Sequence, residues 1–454
     1  MSPRNERMLS VHDLKRRIAE GEVDTVVVAF TDMQGRLQGK RMHAAYFAEH
    51  VLEHGTEGCN YLLAVDVEMN TVSGYAMSSW ERGYGDMLFA LDLDTLRMLR
   101  HLPGTAMVQC DLTWLDGSDV VASPRTILRR QVAAAAERGF VALAGTELEF
   151  IAFDETYEDA WRSGYRDLRP ANLYNVDYSV LGTSRIEPLL RQIRNTCYVA
   201  GMEVESAKGE CNLGQHEIGF LYAEVVTTAD NHAVYKTIAK EIAAAQGKAI
   251  TFMAKYDDRE GSSCHIHLSL RDAGNGDVVF WGADGRTPVY DSFIAGVLAT
   301  MADFTLLYAP NINSYKRYAD GSFAPTAVAW GEDNRTCAVR LVGRGSSARL
   351  ENRVPGADVN PYLALAAMLA GGLYGIDHEL ELPDPITGNA YLADIPRVPA
   401  TLRDARDAFA GSAVARELLG DDVVDHYTNM ADVELAAFAH AVTDWERYRS
   451  FERM

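Results

Sequence analysis

Residues 145–150, GTELEF, place Glu147 and Glu149 one residue apart in a run that otherwise reads as a buried strand. Side chains alternate along a strand, so both glutamates project from one face while Leu148 and Phe150 point to the other. Two carboxylates in one small space raise each other's pKa and destabilise the fold unless cations compensate them. A hard divalent metal is the usual cation for such an oxygen cluster. Taken alone, a Glu-x-Glu pair reads more readily as a solvated strand end, so the segments around it decide.

Downstream, ESAKGECNLGQHEIGF adds Glu205, Glu210 and Glu217, and its Asn and Gly suit a turn between paired strands. SCHIHLSL puts His265, His267 and Ser269 on one strand face and Ile266, Leu268 and Leu270 on the other, with Cys264 facing away from the histidines. NSYKR, WGEDNRTCAVR and SSARLENR then concentrate Arg317, Arg335, Arg340, Arg349 and Arg353 around Glu351. Guanidinium forks bind carboxylate and phosphate in bidentate fashion. Glutamates for metals followed by arginines for oxyanions are the set that phosphoryl transfer from a nucleotide requires.

Working outward, 454 residues with 48% hydrophobic content can bury a large core and predict two domains. The 43 basic against 64 acidic residues leave a net charge of -21, which repels nucleic acid and anionic lipid. Neither is an expected partner. Six scattered cysteines without C-x-x-C spacing imply no zinc site and no disulfide framework, as fits a reducing cytoplasm. The polar start MSPRNERMLS lacks an apolar signal core, and the longest apolar run, from Pro361, is short and glycine-broken for a membrane span.

Ser10 with Asp13 predicts a capped helix through Leu14 and Ile18 to Gly21, and TVVVAF and RLQGKRM predict two tightly joined strands. The turn-rich LDGSDVVASPR marks a boundary, dividing the chain into 1–118 and 119–454. Beyond it, the helical TILRRQVAAAAERG and NHAVYKTIAKEIAAAQG alternate with the strand-like AITFMAKY and SCHIHLSL, an α+β pattern. No Walker or Rossmann glycine motif is present, so a nucleotide would bind to another architecture.

In this order, GTELEF, KGECNLGQHEI, GKAITFMAKY with GSSCHIHLSL, NSYKR, WGEDNRTCAVR, RLENRVPGADVNPYLALAA and VTDWERYRSFER resemble the glutamine synthetase superfamily, in its bacterial type I branch. The resemblance covers nearly the whole chain. It implies an N-terminal β-grasp domain and a catalytic domain on a curved antiparallel sheet. It also implies active sites between neighbouring subunits of a dodecamer of two hexameric rings. Carried over, Glu149, Glu210 and Glu217 match the ligands of one Mg²⁺ or Mn²⁺, and Glu147, His265 and Glu351 those of a second. Glu205, His267, Ser269, Arg340 and Arg349 match ATP contacts, Arg335 a catalytic phosphate-binding arginine, and Gly261, Arg317 and Arg353 positions that hold L-glutamate. The implied reaction is ATP-dependent phosphorylation of the glutamate γ-carboxylate, followed by attack of an amine on the acyl phosphate.

Two departures bear on the amine. The flap YADGSFAPT carries Phe323 where glutamine synthetases have a glutamate suited to ammonium, and a phenyl ring can pack on an alkyl amine but accepts no proton. The family's ammonium-site aspartate motif is replaced by AVDVEMNTVSGYAMSSWERGYGDM, leaving Asp86 as the candidate catalytic amine-site residue and Asp66 as a second. A third departure is Glu260, where an asparagine usually stands beside the glutamate site. The pattern is similar to γ-glutamylamide ligases, with ethanolamine the expected acceptor because few local carboxylates could hold the distal charges of a polyamine. A polyamine, ammonium, and a non-catalytic regulatory homologue are the alternatives. Tyr391, in TGNAYLADIP, stands near the family's adenylylated tyrosine in a shortened segment and reads as a packed loop residue.

Overall fold

Ser10 and Asp13 cap the first helix, Val11–Ala19, reciprocally, as their spacing predicts. The computed structural model describes residues 7–454, so the first six residues of the polar start lie outside the described residues. Strands β1 (Thr25–Thr31) and β2 (Leu37–His43) form an antiparallel pair. With β3 (Thr56–Cys59), β4 (Asp86–Met98) and β5 (Thr105–Thr113) they make a five-stranded sheet ordered β2-β1-β5-β4-β3. β1 and β5 run parallel at its centre, a topology consistent with a β-grasp.

GTELEF lies in β6 (Phe140–Phe153), the spine of a second, nine-stranded sheet. Its next strands are β7 (Val204–Gly209), β8 (Gln215–Phe220), β9 (Ala223–Glu224), β10 (Ala249–Thr251) and β11 (Cys264–Asp272). A two-stranded pair, β12 (Trp281–Gly282) and β13 (Gly285–Arg286), stands apart, and β14 (Trp330–Glu332), β15 (Val339–Val342) and β16 (Arg349–Asn352) complete the large sheet. β6 pairs antiparallel with β8, β9, β10 and β11 along different parts of its length, so the sheet curls around it. The pairing β14 to β15 is parallel, the one exception to the antiparallel sheet expected. AITFMAKY also differs from its reading: only Ala249–Thr251 is strand. Phe252 turns inward against Phe150 and Tyr235, at ring-centroid distances of 5.8 and 6.1 Å, and the chain leaves the sheet.

Behind the sheet pack the helices Pro124–Glu137, Val225–Ala245, Pro288–Ala299 and Pro361–Asp377. Leu148, Phe150, Ile266, Leu268 and Leu270 are buried against this layer, which leaves the alternate residues of β6 and β11 on the opposite face. The glycine-broken run from Pro361 is a core helix, buried along nearly its whole length. Among the described residues no single helix is long and apolar enough to cross a membrane. All six cysteines are free thiols.

Arg125, in the first turn of Pro124–Glu137, ties the five-stranded sheet to the helical layer behind the larger one. It donates to Asp230 of Val225–Ala245 at 2.9 and 3.0 Å, to Asp111 of β5 at 2.5 Å and to Asp92 of β4 at 2.6 Å. Tyr362 adds a 2.6 Å hydrogen bond to Asp230. Burial opposes the charge of this guanidinium, but the aspartates more than offset it and hold its pKa above the ordinary value. Arg125→Met should lower unfolding free energy by about 3–5 kcal/mol in urea titrations, because Asp230 is then buried without its cation. Arg125→Met with Asp230→Leu should recover part of that loss; a double variant no more stable than the single one would contradict the account.

Candidate active site

Strand register assembles the site. On β6 and its neighbours Glu147 lies opposite His265, and Glu149 opposite Glu217. One strand further out, His267 faces Glu351, Glu351 faces Arg340, and Glu217 faces Lys208. Every one of these side chains belongs to the face that Leu148 and Ile266 do not occupy, so one polar, largely acidic face crosses six strands, β15-β16-β11-β6-β8-β7.

The surface divides into two groups. Ligand atoms of Glu149, Glu210 and Glu217 lie within 4.8 Å of one another, as do those of Glu147, Glu351 and His267. In the second trio His267 stands where the expected set has His265. His265 is nevertheless adjacent, its Nδ1 3.3 Å from Glu147 and 3.5 Å from Glu351. His267 Nδ1 accepts from Arg349 Nε at 3.2 Å, which assigns the proton to Nε2, 3.0 Å from Glu147. Both imidazoles therefore serve one carboxylate.

The two groups differ in charge state. Partial burial works to raise the Glu147 pKa, but hydrogen bonds from His265 and His267 hold it far below the usual carboxylate range. Burial pushes Glu149 up to about 7, against the Ser263 amide, Arg317 and Lys208. Burial pushes Glu217 up to about 8, with Glu147 and Glu149 adding repulsion that Lys208 only partly offsets. Burial and Arg353 lower His265 to about 4, so its ring is neutral. Oxygen-rich donors, one neutral imidazole and crowded buried carboxylates suit a hard divalent ion such as Mg²⁺ or Mn²⁺. The buried Nε2 of His265 has no protein partner.

Arginines rim the face. Arg340 donates to Glu351 at 2.9 Å and to Asp333, while Arg353, 4% exposed, donates to Glu351 at 2.5 Å. The Arg353 Nε is buried without a partner. Arg335 is half-exposed at the rim, 3.9 Å from Asp333. Arg317 is turned inward: at 1% exposure it donates to the carbonyls of Val354 and Arg353 and to Ser263, so it supports the pocket wall. Gly261 makes room for it, since a Cβ there would sit 2.7 Å from the Arg317 stem and 2.5 Å from the Ala254 carbonyl. Ser269 donates to the Ala348 carbonyl at 3.0 Å, and Glu205 is exposed on β7.

The flap ends in Phe323, 57% exposed, with φ at +58°. That left-handed conformation costs a phenylalanine about 1–2 kcal/mol. Asp86, exposed, opens β4 opposite Cys59, and Asp66 accepts the Glu68 and Asn70 amides of its own loop at 2.9 and 2.8 Å. Among the described residues neither aspartate touches the acidic face. The Glu260 side chain is exposed, and its carbonyl accepts from Asn212 at 2.8 Å.

Sequence reading missed Lys208, Gln215 and Ser263. Lys208 hydrogen-bonds Glu210 and lies 3.7 Å from Glu217. The Gln215 amide and the Ser263 N–H each donate to Glu149 at 2.8 Å. Lys208 was legible in principle as a cation two residues before Glu210 on the strand; the Ser263 amide carries no side-chain signal.

The catalytic-domain family of glutamine synthetase matches residues 121–450. The γ-glutamylethanolamide synthetase GlnA4 of Streptomyces coelicolor is 62% identical over 446 residues, covering 98% of this chain and 96% of that protein. A glutamate–isopropylamine ligase from a Pseudomonas species is 35% identical, covering 99% of each. The solved structure of a GmaS–ADP complex superposes with a TM-score of 0.84 at 26% identity, over 97% of this chain and 99% of that one. The chain belongs to the glutamine synthetase family.

The raised carboxyls set a pH dependence. Glu149 and Glu217 bind protons more tightly folded than at their ordinary value of 4.5, so their contribution to metal-free stability is complete below that pH. It is lost as pH rises through about 7 and 8. A divalent ion needs the ionised carboxylates, so the rise in Tm produced by saturating Mn²⁺ should be larger at pH 8.5 than at pH 6. Equal or smaller gains at the higher pH would contradict this assignment.

Proposed function

We propose that this protein is an ATP-dependent ligase that joins the γ-carboxylate of L-glutamate to a primary amine, ethanolamine foremost, through γ-glutamyl phosphate. The observation that carries the reading is the single sheet face on which five glutamates and two histidines meet a rim of arginines. The ethanolamide-forming relative, 62% identical, supports the acceptor, as does Phe323 on the exposed flap.

Two divalent ions, held by Glu149, Glu210 and Glu217 and by Glu147, Glu351 and His265, would neutralise the triphosphate and polarise its terminal phosphorus. His267 orients Glu147 through Nε2 while Arg349 fixes its tautomer. Arg340, Arg349 and Arg335, with Glu205 and Ser269, form the ATP side, and the arginines present cations to phosphate oxygens as negative charge shifts toward ADP. Arg353, supported from behind by Arg317 and Gly261, holds the glutamate. Its γ-carboxylate oxygen attacks the terminal phosphorus, and the bond to the bridging oxygen of ADP breaks. The neutral amine then attacks the activated carbonyl carbon, the carbon–oxygen bond to phosphate breaks, and the nitrogen gives up its proton.

Asp86, or Asp66, is the proposed acceptor of that proton. Because neither meets the acidic face of its own chain among the described residues, the reading includes a neighbouring subunit, in a dodecamer of two hexameric rings, that brings its N-terminal sheet to the site. A cytoplasmic location fits the free thiols.

Phosphate release should require ATP, glutamate and an amine, with ethanolamine preferred over isopropylamine, putrescine and ammonium. Phe323→Glu should raise kcat/KM for ammonium and lower it for ethanolamine, each by about tenfold or more, as a carboxylate replaces an apolar contact. An unchanged ranking of amines would remove the flap from the acceptor site. Glu351→Ala should lower turnover by about a hundredfold in the same assay.

A further inference from the structure

The flap that carries Phe323 meets a second loop, residues 390–398, through an apolar base and, nearer its tip, through polar contacts. The Tyr391 hydroxyl, on a side chain 7% exposed, donates to the Ala324 carbonyl at 2.9 Å. Arg353 Nη2 donates to the preceding carbonyl, that of Phe323, at 3.4 Å. Two successive carbonyls, that of the left-handed Phe323 and the next, are thus held by two different side chains. Arg397 braces the second loop, donating to Thr326 Oγ1 at 3.0 Å and to the carbonyls of Tyr391 and Ala393 at 2.8 and 2.9 Å. Backbone hydrogen bonds from Val398 N to Thr326 O and from Val328 N to Pro396 O, at 3.0 and 2.9 Å, close the contact.

Between the two loops lies a cavity of about 370 Å³, lined by Tyr318, Asp320, Thr326, Tyr391, Arg397 and Val398. A buried apolar cluster of Ala327, Ala329, Cys337 and Ala390, with Ile395 packed on it, anchors the base of the flap to the second loop, and the Tyr391 and Arg353 hydrogen bonds hold the carbonyls nearer its tip. Burial raises the phenol pKa, so Tyr391 remains a neutral donor at physiological pH.

We infer that Tyr391 is a positioning residue for acceptor choice: its hydroxyl fixes the Ala324 carbonyl and thereby sets where the Phe323 ring meets the amine, with Arg397 as its brace. The inference rests on the proposed reading of Phe323 as part of the acceptor site. Tyr391 touches neither the acidic face nor the arginine rim, so it acts through the flap.

Tyr391→Phe removes the hydrogen bond and keeps the ring. In the free enzyme, hydrogen–deuterium exchange in peptides spanning residues 318–328 should accelerate about three- to tenfold, as expected for the loss of one hydrogen bond. In steady-state assays KM for ethanolamine should rise by about the same factor, with KM for ATP and glutamate within about twofold of wild type. Thr326→Val, which removes the Arg397 acceptor and leaves Tyr391 in place, should accelerate exchange in the same peptides. Unchanged exchange in Tyr391→Phe overturns the clamp. Faster exchange with an unchanged amine KM, or with all three KM values raised together, overturns the role in acceptor choice. A wild-type enzyme that releases no phosphate with any amine would instead overturn the ligase reading and with it the acceptor role, while the exchange result still decides whether Tyr391 holds the flap.

Discussion

Electrostatic repulsion among buried carboxylates is the constraint on which the molecule depends. Glu147, Glu149, Glu217 and Glu351 are delivered to one face by cross-strand pairing, and Glu210 follows directly from the end of β7. A one-residue slip of any strand would turn its acid into the core. The register is held from the opposite face, where Leu148, Phe150, Ile266 and Leu268 fill the space against the helices. Hydrophobic packing on one side thus enforces like-charge crowding on the other. The protein answers that crowding locally, with two imidazoles on Glu147, with Arg340 and Arg353 on Glu351, and with Lys208 on Glu210 and Glu217.

Those answers are unequal. Glu147 and Glu351 are held below the ordinary carboxylate pKa, whereas Glu149 and Glu217 are raised above it. The difference follows from the donors each group is given: guanidinium cations and imidazole N–H groups cluster on the β11–β16 side, and one ammonium group serves the β7–β8 side. One half is committed to its charge and the other is poised between protonation states. This division suits a surface that must receive a polyanion and its cations together.

Much of this was legible in the sequence because strand alternation is a strict rule. GTELEF and SCHIHLSL each gave the correct face from their own pattern, and the turn in CNLGQH was visible from its Asn and Gly. Pairing across strands was not legible. Nothing local indicates that His267 rather than His265 completes the tightest trio with Glu147 and Glu351, because that depends on how β11 lies between β6 and β16. AITFMAKY misled for a related reason: its apolar pattern persists past Thr251, but Phe252 is apolar because it packs inward after the strand has ended. The inward turn of Arg317 was likewise hidden, since an arginine beside a substrate pocket and one beneath it look alike in a string of letters.

Arg317 also joins parts that are far apart in the chain. Its stem crosses Gly261 and its guanidinium holds the carbonyls of Arg353 and Val354, while the neighbouring Ser263 amide grips Glu149. The root of the flap and the floor of the acidic face therefore share one rigid foundation, and only the tip around Phe323 projects beyond it. Such a division leaves the tip around Phe323 free to change its side chain without disturbing the apparatus beneath it.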